Sequence, residues 1–120
     1  MGDYRKLKGY QKAFELALEI FQLTKMFPAE ERYSLSDQFR RSSRSVCSNL
    51  VEAYKRRRYR DYFVSKLNDA ETENAETQVW IDFALAFGYI NADTYQRLTE
   101  KNNEIAKLIL YMINHPEKFM

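Results

Sequence analysis

The chain has 120 residues, of which 45% are hydrophobic and 30% are charged, with a formal net charge of +2. This composition is ordinary for one soluble globular domain, which we expect to cover residues 1–120. Three glycines and two prolines are too few for a turn-rich β fold, so a few long helices are favoured. No window reaches the roughly 18 apolar residues that a membrane span needs. We therefore expect no membrane partner and a cytoplasmic protein.

The first predicted helix covers about residues 8–26 and carries two apolar stripes at helical spacing. One stripe contains Tyr10, Phe14, Ala17 and Phe21, and the other contains Ala13, Leu16, Ile20, Leu23 and Phe27. Pro28 ends this helix. Because one stripe is enough for a bundle helix, the second stripe favours a contact with another subunit.

Ser34 and Asp37 have the spacing of a capping box, which predicts that the second helix begins there. Its core stripe is Phe39, Val46, Leu50 and Ala53. Serines at positions 42, 43, 45 and 48 are poor helix formers, so packing must hold this helix in place. The polar run 55–60 is predicted to contain the turn into the third helix.

The third predicted helix covers about residues 61–87, and Gly88 is placed at its C′ position. Its inner face comprises Phe63, Leu67, Ala70, Thr77, Ile81, Ala84 and Leu85, with Asn74 as an interruption. Asn91 or Asp93 caps the fourth helix, whose apolar positions are Tyr95, Leu98, Ile105, Ile109 and Met112. His115 and Pro116 end it. The fold class predicted is all-α, an antiparallel up-down-up-down four-helix bundle.

Positive charge is concentrated in helix 2 and the turn that follows. Eight basic residues and one acid lie between Arg40 and Arg60, a local charge of +7 that leaves −5 for the remainder. Arginine and lysine neutralise phosphates, and tyrosine rings stack on unpaired bases. We therefore predict a nucleic-acid contact, with RNA or DNA, through Arg40, Arg44, Tyr54, Lys55, Arg56, Arg57, Arg58, Tyr59 and Arg60, which Tyr62 flanks.

The alternative is that these charges pair with acids of the third helix, within or between subunits. Arg41 or Arg44 would then meet an acid between Glu71 and Glu76, with Glu73 and Glu76 as the partners to test, and such surface pairs contribute about 0 to 1 kcal/mol each. They would set orientation more than stability in a protein–protein scaffold or accessory subunit. Ser45, Asn49 and Glu52 share one face of the second helix and predict a buried or interfacial hydrogen-bond network.

No pattern in the chain indicates an enzyme. Ser45 and Glu52 lack a nearby histidine or lysine base and a glycine-rich oxyanion loop. One cysteine and one histidine, Cys47 and His115, cannot supply the several converging ligands of a metal site. We expect no catalytic residue, no metal and no cofactor. Cys47 is interpreted as a small packed hydrophobe.

The second helix and its approach carry a recognisable pattern. It reads Phe27-Pro28-x-x-Glu31-x-Tyr33-x-Leu35-x-x-Gln38, then Arg40-Arg41-x-x-x-Ser45-Val46-x-Ser48-Asn49-Leu50-x-Glu52. Later come Glu76-Thr-x-x-Trp80 and Phe87-Gly88-Tyr89-Ile90, and the first helix begins Leu7-x-x-Tyr10-Gln11-Lys12-Ala13. Together these segments resemble the four-helix-bundle family of the 23S rRNA intervening-sequence proteins.

The resemblance implies an up-down bundle that assembles as a homopentamer, a ring with a central channel. The family includes accessory variability proteins of diversity-generating retroelements, which bind nucleic acid and a reverse transcriptase. A reverse transcriptase is therefore a further possible partner. Ala53 stands where the family usually has glycine, so the second helix is expected to run on into Tyr54 and Lys55.

Overall fold

The computed structural model describes residues 2–120, which form four α-helices. They are α1 (Lys8–Thr24), α2 (Leu35–Lys55), α3 (Arg60–Ala86) and α4 (Ala92–Asn114). Short 3-10 helices lie at Tyr4–Lys6, Ala29–Glu31 and Pro116–Lys118. Each helix packs on the next and α4 packs back on α1, whereas α1 and α3 lie diagonally opposite. The predicted all-α four-helix bundle is confirmed.

The predicted core stripes lie inside this bundle. Fully buried side chains from all four helices include Leu16, Ile20, Phe39, Leu50, Phe63, Leu67, Ile81, Leu98 and Ile109. Leu85 is the exception, because it is 37% exposed. Successive helical residues point about 100° apart, and the neighbouring Ala84 takes the inward position. None of the helices between residues 2 and 120 is long and apolar enough to cross a bilayer.

The start of α2 differs from the predicted capping box. Ser34 occupies the N-cap position, but its side chain makes no capping hydrogen bond. Instead Glu31 Oε1 accepts the Leu35 N–H at 3.1 Å, and Glu31 Oε2 accepts the Tyr89 hydroxyl at 2.8 Å. The bond from Tyr89, followed by that from Leu35, lowers the pKa of Glu31. The same bond to Glu31 raises the pKa of Tyr89 to about 12.

The link between α3 and α4 follows the prediction. Gly88 has a φ of 78°, the left-handed conformation that glycine adopts without strain. Its N–H donates to Leu85 O at 3.0 Å, and the Tyr89 N–H donates to Ala84 O at 2.9 Å, which together form a Schellman motif. Asn91 then caps α4 by accepting the Thr94 N–H at 2.8 Å. Asn91 rather than Asp93 is therefore the cap.

Buried polar side chains tie α3 to both of its neighbours. The Asn74 side chain donates to Asn102 O at 3.0 Å, and the Asn102 side chain donates to Asn74 O at the same distance. The Ser42 and Thr77 hydroxyls are hydrogen-bonded at 2.8 Å between α2 and α3. These bonds fix the relative position of the helices at the level of Asn74, where the apolar inner face of α3 is interrupted.

Candidate nucleic-acid interface

The basic junction, residues 55–60, joins α2 to α3 through only four non-helical residues, 56–59. The Arg56 N–H donates to Ala53 O at 3.0 Å, and the Tyr59 N–H donates to Arg56 O at 2.9 Å. These bonds form a tight turn. As Ala53 predicted, α2 continues to Lys55. The side chains of the junction therefore project from helix ends and one short turn.

Arg57 differs from its neighbours because it is half-buried and turned back toward α2. Its Nη1 donates to Tyr54 O at 2.8 Å, and its guanidinium lies 3.9 Å from the centroid of the Tyr54 ring. Carbonyls in the last turn of a helix have no intrahelical partner, and a cation there is favourable. Arg57 is thus a helix cap, and its guanidinium is held against α2 by this hydrogen bond and ring contact.

The other four cations of the junction are exposed: Lys55, Arg56, Arg58 and Arg60. Among residues 2–120, none of them forms an ion pair. Arg56 lies 5.0 Å from the Tyr62 ring centroid, and Arg58 lies 5.1 Å from that of Tyr59. Such contacts contribute about 0.5 to 1 kcal/mol at exposed sites. They leave the outward edges of the guanidinium groups available to an anion.

The acid nearest to the junction in the second helix is engaged elsewhere. Glu52 pairs with Lys66 of α3 at 3.6 Å, and Lys66 also pairs with Asp69 at 3.5 Å. Asp61 follows the junction directly but forms no ion pair within residues 2–120. The positive charge of the junction is therefore not neutralised by the surrounding helices.

Both terminal segments add positive charge at the same end of the bundle. The 3-10 helix Tyr4–Lys6 contacts α2, and Pro116–Lys118 contacts α3. Segments 2–8, 54–62 and 115–120 together carry nine basic and three acidic side chains, a net +6. The opposite end, segments 22–37 and 86–97, carries three basic and four acidic side chains, a net −1. The bundle is electrically polarised along its length.

Arg40 and Arg44 are not brought together with the basic junction. Arg40 precedes Arg56 by 16 residues of the chain, which is about 24 Å along a helix. The Arg40 Nε donates to Thr24 Oγ1 at 2.6 Å, and its guanidinium lies 4.7 Å from the Phe21 ring centroid. Arg44 lies 5.8 Å from the same ring. These two arginines form a separate group against α1.

The residues predicted to serve an interface lie on α2 and α3. Arg41 is exposed and unpaired within residues 2–120, as is Glu76. Burial, followed by repulsion from Glu76 and Asp69, raises the pKa of Glu73, and Arg41 opposes this rise.

The predicted network of Ser45, Asn49 and Glu52 consists of one local bond within the described chain. The Asn49 side chain donates to the backbone oxygen of Ser45 at 2.9 Å, while Glu52 turns to Lys66. The three side chains make no hydrogen bond to one another within residues 2–120. The polar contacts that fix the helices inside one chain are those of Asn74 and Thr77 described above.

Two apolar surfaces remain uncovered on opposite sides of the bundle. The α1 surface includes Phe14, 47% exposed, and Leu18, 53% exposed, beside Tyr10 and Phe21. The α3 surface consists of Val79, Phe83 and Phe87, which are 44%, 44% and 54% exposed. Single exposed apolar side chains are common, but contiguous aromatic patches mark contact sites.

Sequence reasoning missed two features of this region. It grouped Arg57 with the free cations, because nothing in a run of arginines tells which one turns back to cap α2. It also overlooked Arg5, Lys6, Lys8 and Lys118, although the predicted up-down topology implies that both terminal segments lie beside the α2–α3 turn.

The helices and their charge distribution define a small antiparallel four-helix-bundle protein with one electropositive end. The chain belongs to the 23S rRNA-intervening sequence protein family, whose model matches residues 5–111. It is also similar to a solved structure, a protein of unknown function from the S23 ribosomal protein family of Bacteroides thetaiotaomicron. That similarity has 31% identity and a TM-score of 0.80, and covers 88% of this chain and 95% of the other. None of the curated proteins matches this chain.

Proposed function

We propose that this protein is a non-enzymatic homo-oligomer that binds nucleic acid through the basic junction. The observation that carries the proposal is the group of four exposed cations, Lys55, Arg56, Arg58 and Arg60, without an acidic partner in residues 2–120. Leaving cations unpaired on a surface favours a polyanion, because phosphate contact releases condensed counterions. The net +6 of this end supplies a field that attracts the ligand from a distance.

The expected affinity depends on salt. Each phosphate contact of a single strand contributes roughly 0.7 to the log–log slope of affinity against salt, and on duplex DNA roughly 0.9. At about 0.1 M salt, one contact thus strengthens single-strand binding about fivefold relative to 1 M. Two such contacts together strengthen single-strand binding roughly 25-fold.

This proposal is tested by comparing a double variant of the junction with a matched double variant at the opposite end of the bundle. Arg56→Gln/Arg60→Gln removes two charges from the junction, and Lys25→Gln/Arg32→Gln removes two exposed charges from the opposite end. Fluorescence anisotropy with a labelled RNA at about 0.1 M salt should give a roughly 25-fold loss for the junction variant and less than twofold for the control. Equal affinities for both variants would rule out the junction as the binding surface.

The two apolar surfaces support assembly of identical copies. Because α1 and α3 lie diagonally opposite, the surfaces that they carry face in different directions and differ in residues. Contact between the α1 surface of one copy and the α3 surface of the next is head-to-tail, and such contacts close into a ring when the rotation from copy to copy divides a full turn evenly. We propose a ring of five, the number that the family resemblance implies. Repetition would multiply the basic junction and raise avidity for a long ligand.

Two charge insertions test the head-to-tail arrangement. Phe14→Glu damages only the α1 surface and Phe83→Glu damages only the α3 surface. Each variant alone should be monomeric by light scattering. A mixture should form dimers, because each variant retains the surface that the other lacks. A mixture that stays monomeric, or a ring that survives either change, would exclude this arrangement.

A second candidate function is a protein–protein scaffold whose arginines pair with acids of the next subunit. It is favoured by Arg41, which is unpaired in residues 2–120, and by the crowded carboxylates around Glu73, whose mutual repulsion an external cation would relieve. Arg41→Glu should then lower the oligomer mass, and Glu73→Arg in the same chain should restore it. Unchanged mass in Arg41→Glu would dismiss the pairing.

A further inference from the structure

Two exposed tyrosines, Tyr59 of the junction and Tyr62 in the first turn of α3, line an open cleft. Tyr59 is 52% exposed and Tyr62 is 44% exposed. The remaining lining is Arg56, Arg60 and Asp61. Neither tyrosine ring packs against another aromatic ring within residues 2–120, unlike the aromatic side chains near Phe27 and Phe83. Neither hydroxyl makes a hydrogen bond in that part of the chain.

The known contacts of these rings leave aromatic surface unused. Arg56 approaches the Tyr62 ring at 5.0 Å, and Arg58 approaches the Tyr59 ring at 5.1 Å. Because Tyr59 and Tyr62 are still 52% and 44% exposed, part of each ring remains accessible to a flat ligand. A nucleobase is such a ligand, and stacking on aromatic side chains is how proteins hold unpaired bases of any sequence.

The charged residues that line the cleft also determine where a base and where a phosphate can bind. Asp61 carries a negative charge into the cleft and is unpaired within residues 2–120, so a phosphate there would be repelled. A base is neutral, and its amino groups can donate to a carboxylate. Arg56 and Arg60 also line the cleft, and their charges favour the phosphates that flank such a base.

We propose that the basic junction selects single-stranded nucleic acid by holding an unpaired base between Tyr59 and Tyr62. This inference rests on the proposed function, since it specifies the ligand of the same surface. In a duplex the base faces are stacked inside the helix and cannot reach the rings. The cations alone would bind any phosphate backbone, so the tyrosines supply the preference for an unpaired strand.

The test compares a variant that lacks both tyrosine side-chain rings with a variant that keeps an aromatic ring at both positions. Tyr59→Leu/Tyr62→Leu keeps apolar bulk but removes both rings, and Tyr59→Phe/Tyr62→Phe keeps both rings. Three labelled probes share one RNA backbone of about 12 nucleotides, within the usual range of single-strand sites. They are the single strand, the same strand annealed to its complement, and the strand with abasic central positions. A DNA strand of the same sequence is the fourth probe.

In fluorescence anisotropy titrations, the original protein should bind the single strand at least fivefold more tightly than the abasic strand. The leucine variant should lose that fivefold preference, and the phenylalanine variant should retain it. Tighter binding of either the RNA or the DNA strand identifies the sugar of the ligand and supports the proposal. Equal affinity for single, abasic and duplex probes, or equal affinity of the leucine and phenylalanine variants, overturns it.

Failure of this inference is distinguishable from failure of the proposed function. If the junction binds phosphate without holding a base, the Arg56→Gln/Arg60→Gln variant still loses affinity while the tyrosine variants do not. If no probe binds the original protein at low salt, the proposed function itself fails and this inference falls with it. Circular dichroism melting of each variant checks that the bundle is intact, which the exposure of both tyrosines leads us to expect.

Discussion

Two adjacent arginines of the basic junction should respond oppositely to the same substitution. Arg57 caps α2 through a 2.8 Å bond to Tyr54 O and a ring contact at 3.9 Å, whereas Arg58 is exposed and makes only a ring contact at 5.1 Å. Methionine keeps the apolar stem of each side chain and removes the charge. The pair Arg57→Met and Arg58→Met is therefore matched in sequence position, size and charge.

The expected magnitudes follow from these contacts. A charged hydrogen bond contributes about 1.5 to 3 kcal/mol, which partial exposure of Arg57 reduces to about 1. The ring contact adds about 0.5 kcal/mol. Arg57→Met should thus lower the free energy of unfolding by about 1.5 kcal/mol, and the melting temperature by about 6 °C for a chain of this size. Arg58→Met should change the free energy of unfolding by less than about 0.5 kcal/mol.

For nucleic-acid binding, the effects of the two substitutions should have the reverse order. Arg58→Met removes one exposed phosphate contact and should weaken single-strand binding about fivefold at about 0.1 M salt. Arg57→Met should weaken it by less than about twofold, because that charge already serves the helix end. Melting followed by circular dichroism and anisotropy titrations provide the two readouts. Equal melting temperatures together with equal affinities would refute the division of the junction into a capping cation and free cations.

Three further outcomes follow from the interior and the far end of the bundle. Asn74→Ala removes a buried hydrogen bond and leaves a cavity, so chemical denaturation should reveal a loss of about 2 to 3 kcal/mol; a loss no larger than that of an exposed Thr72→Ala control would contradict this. Because the pKa of Glu31 is lowered in the fold from its ordinary 4.5, its contribution to stability is present above that value and is lost as the pH falls through the lower folded pKa. Glu31→Gln should therefore be less stable than the original protein at pH 7 and equal to it in strong acid; a constant difference across the acid range would disprove the linkage. Burial raises the pKa of Cys47 to about 11, so thiol reagents at pH 8 should modify it only after unfolding, and rapid labelling of the native protein would be inconsistent with this burial.

Most of the fold could be predicted because apolar spacing determines which helix faces are buried. Phe39, Leu50, Phe63 and Ile109 were each expected inside and are fully buried. Gly88 was equally readable, since a C′ position favours the left-handed conformation that glycine adopts at φ 78°. These signals are local and do not depend on the rest of the chain.

The cap at the N-terminus of α2 could not be predicted from the sequence in the same way. A capping serine needs an extended backbone, but Ser34 has φ −129° and ψ −107°. The Ser34 N–H donates to the backbone oxygen of Glu31 at the end of the short helix Ala29–Glu31, and the Glu31 carboxylate accepts the Leu35 N–H in place of the serine side chain. A further partner, Tyr89 in the link between α3 and α4, takes part in this contact. A pattern of four residues contains no information about this partner.

The candidate site was predictable in composition but not in arrangement. The run 55–60 identified the cations, whereas their division into Arg57 and the free cations depends on the turn at residues 56–59. Arg40 and Arg44 show the same limit, because their charge alone assigned them to the predicted nucleic-acid contact although Thr24 and Phe21 hold Arg40 against α1. Side-chain partners contributed by another helix decide the outcome in both cases.

The contact between Gly2 and Tyr54 has a practical consequence for how ligands of this protein can be studied. A Cβ at Gly2 would collide with the Tyr54 hydroxyl, so the start of the described chain lies against the end of α2. Pro116–Lys118 lies against α3 at the same end. Purification tags or fluorescent reporters fused at position 2 or 120 would emerge next to the cations and shield them. A dye attached near Ala29 or Arg32, roughly a full helix length away, would report occupancy without obstructing it.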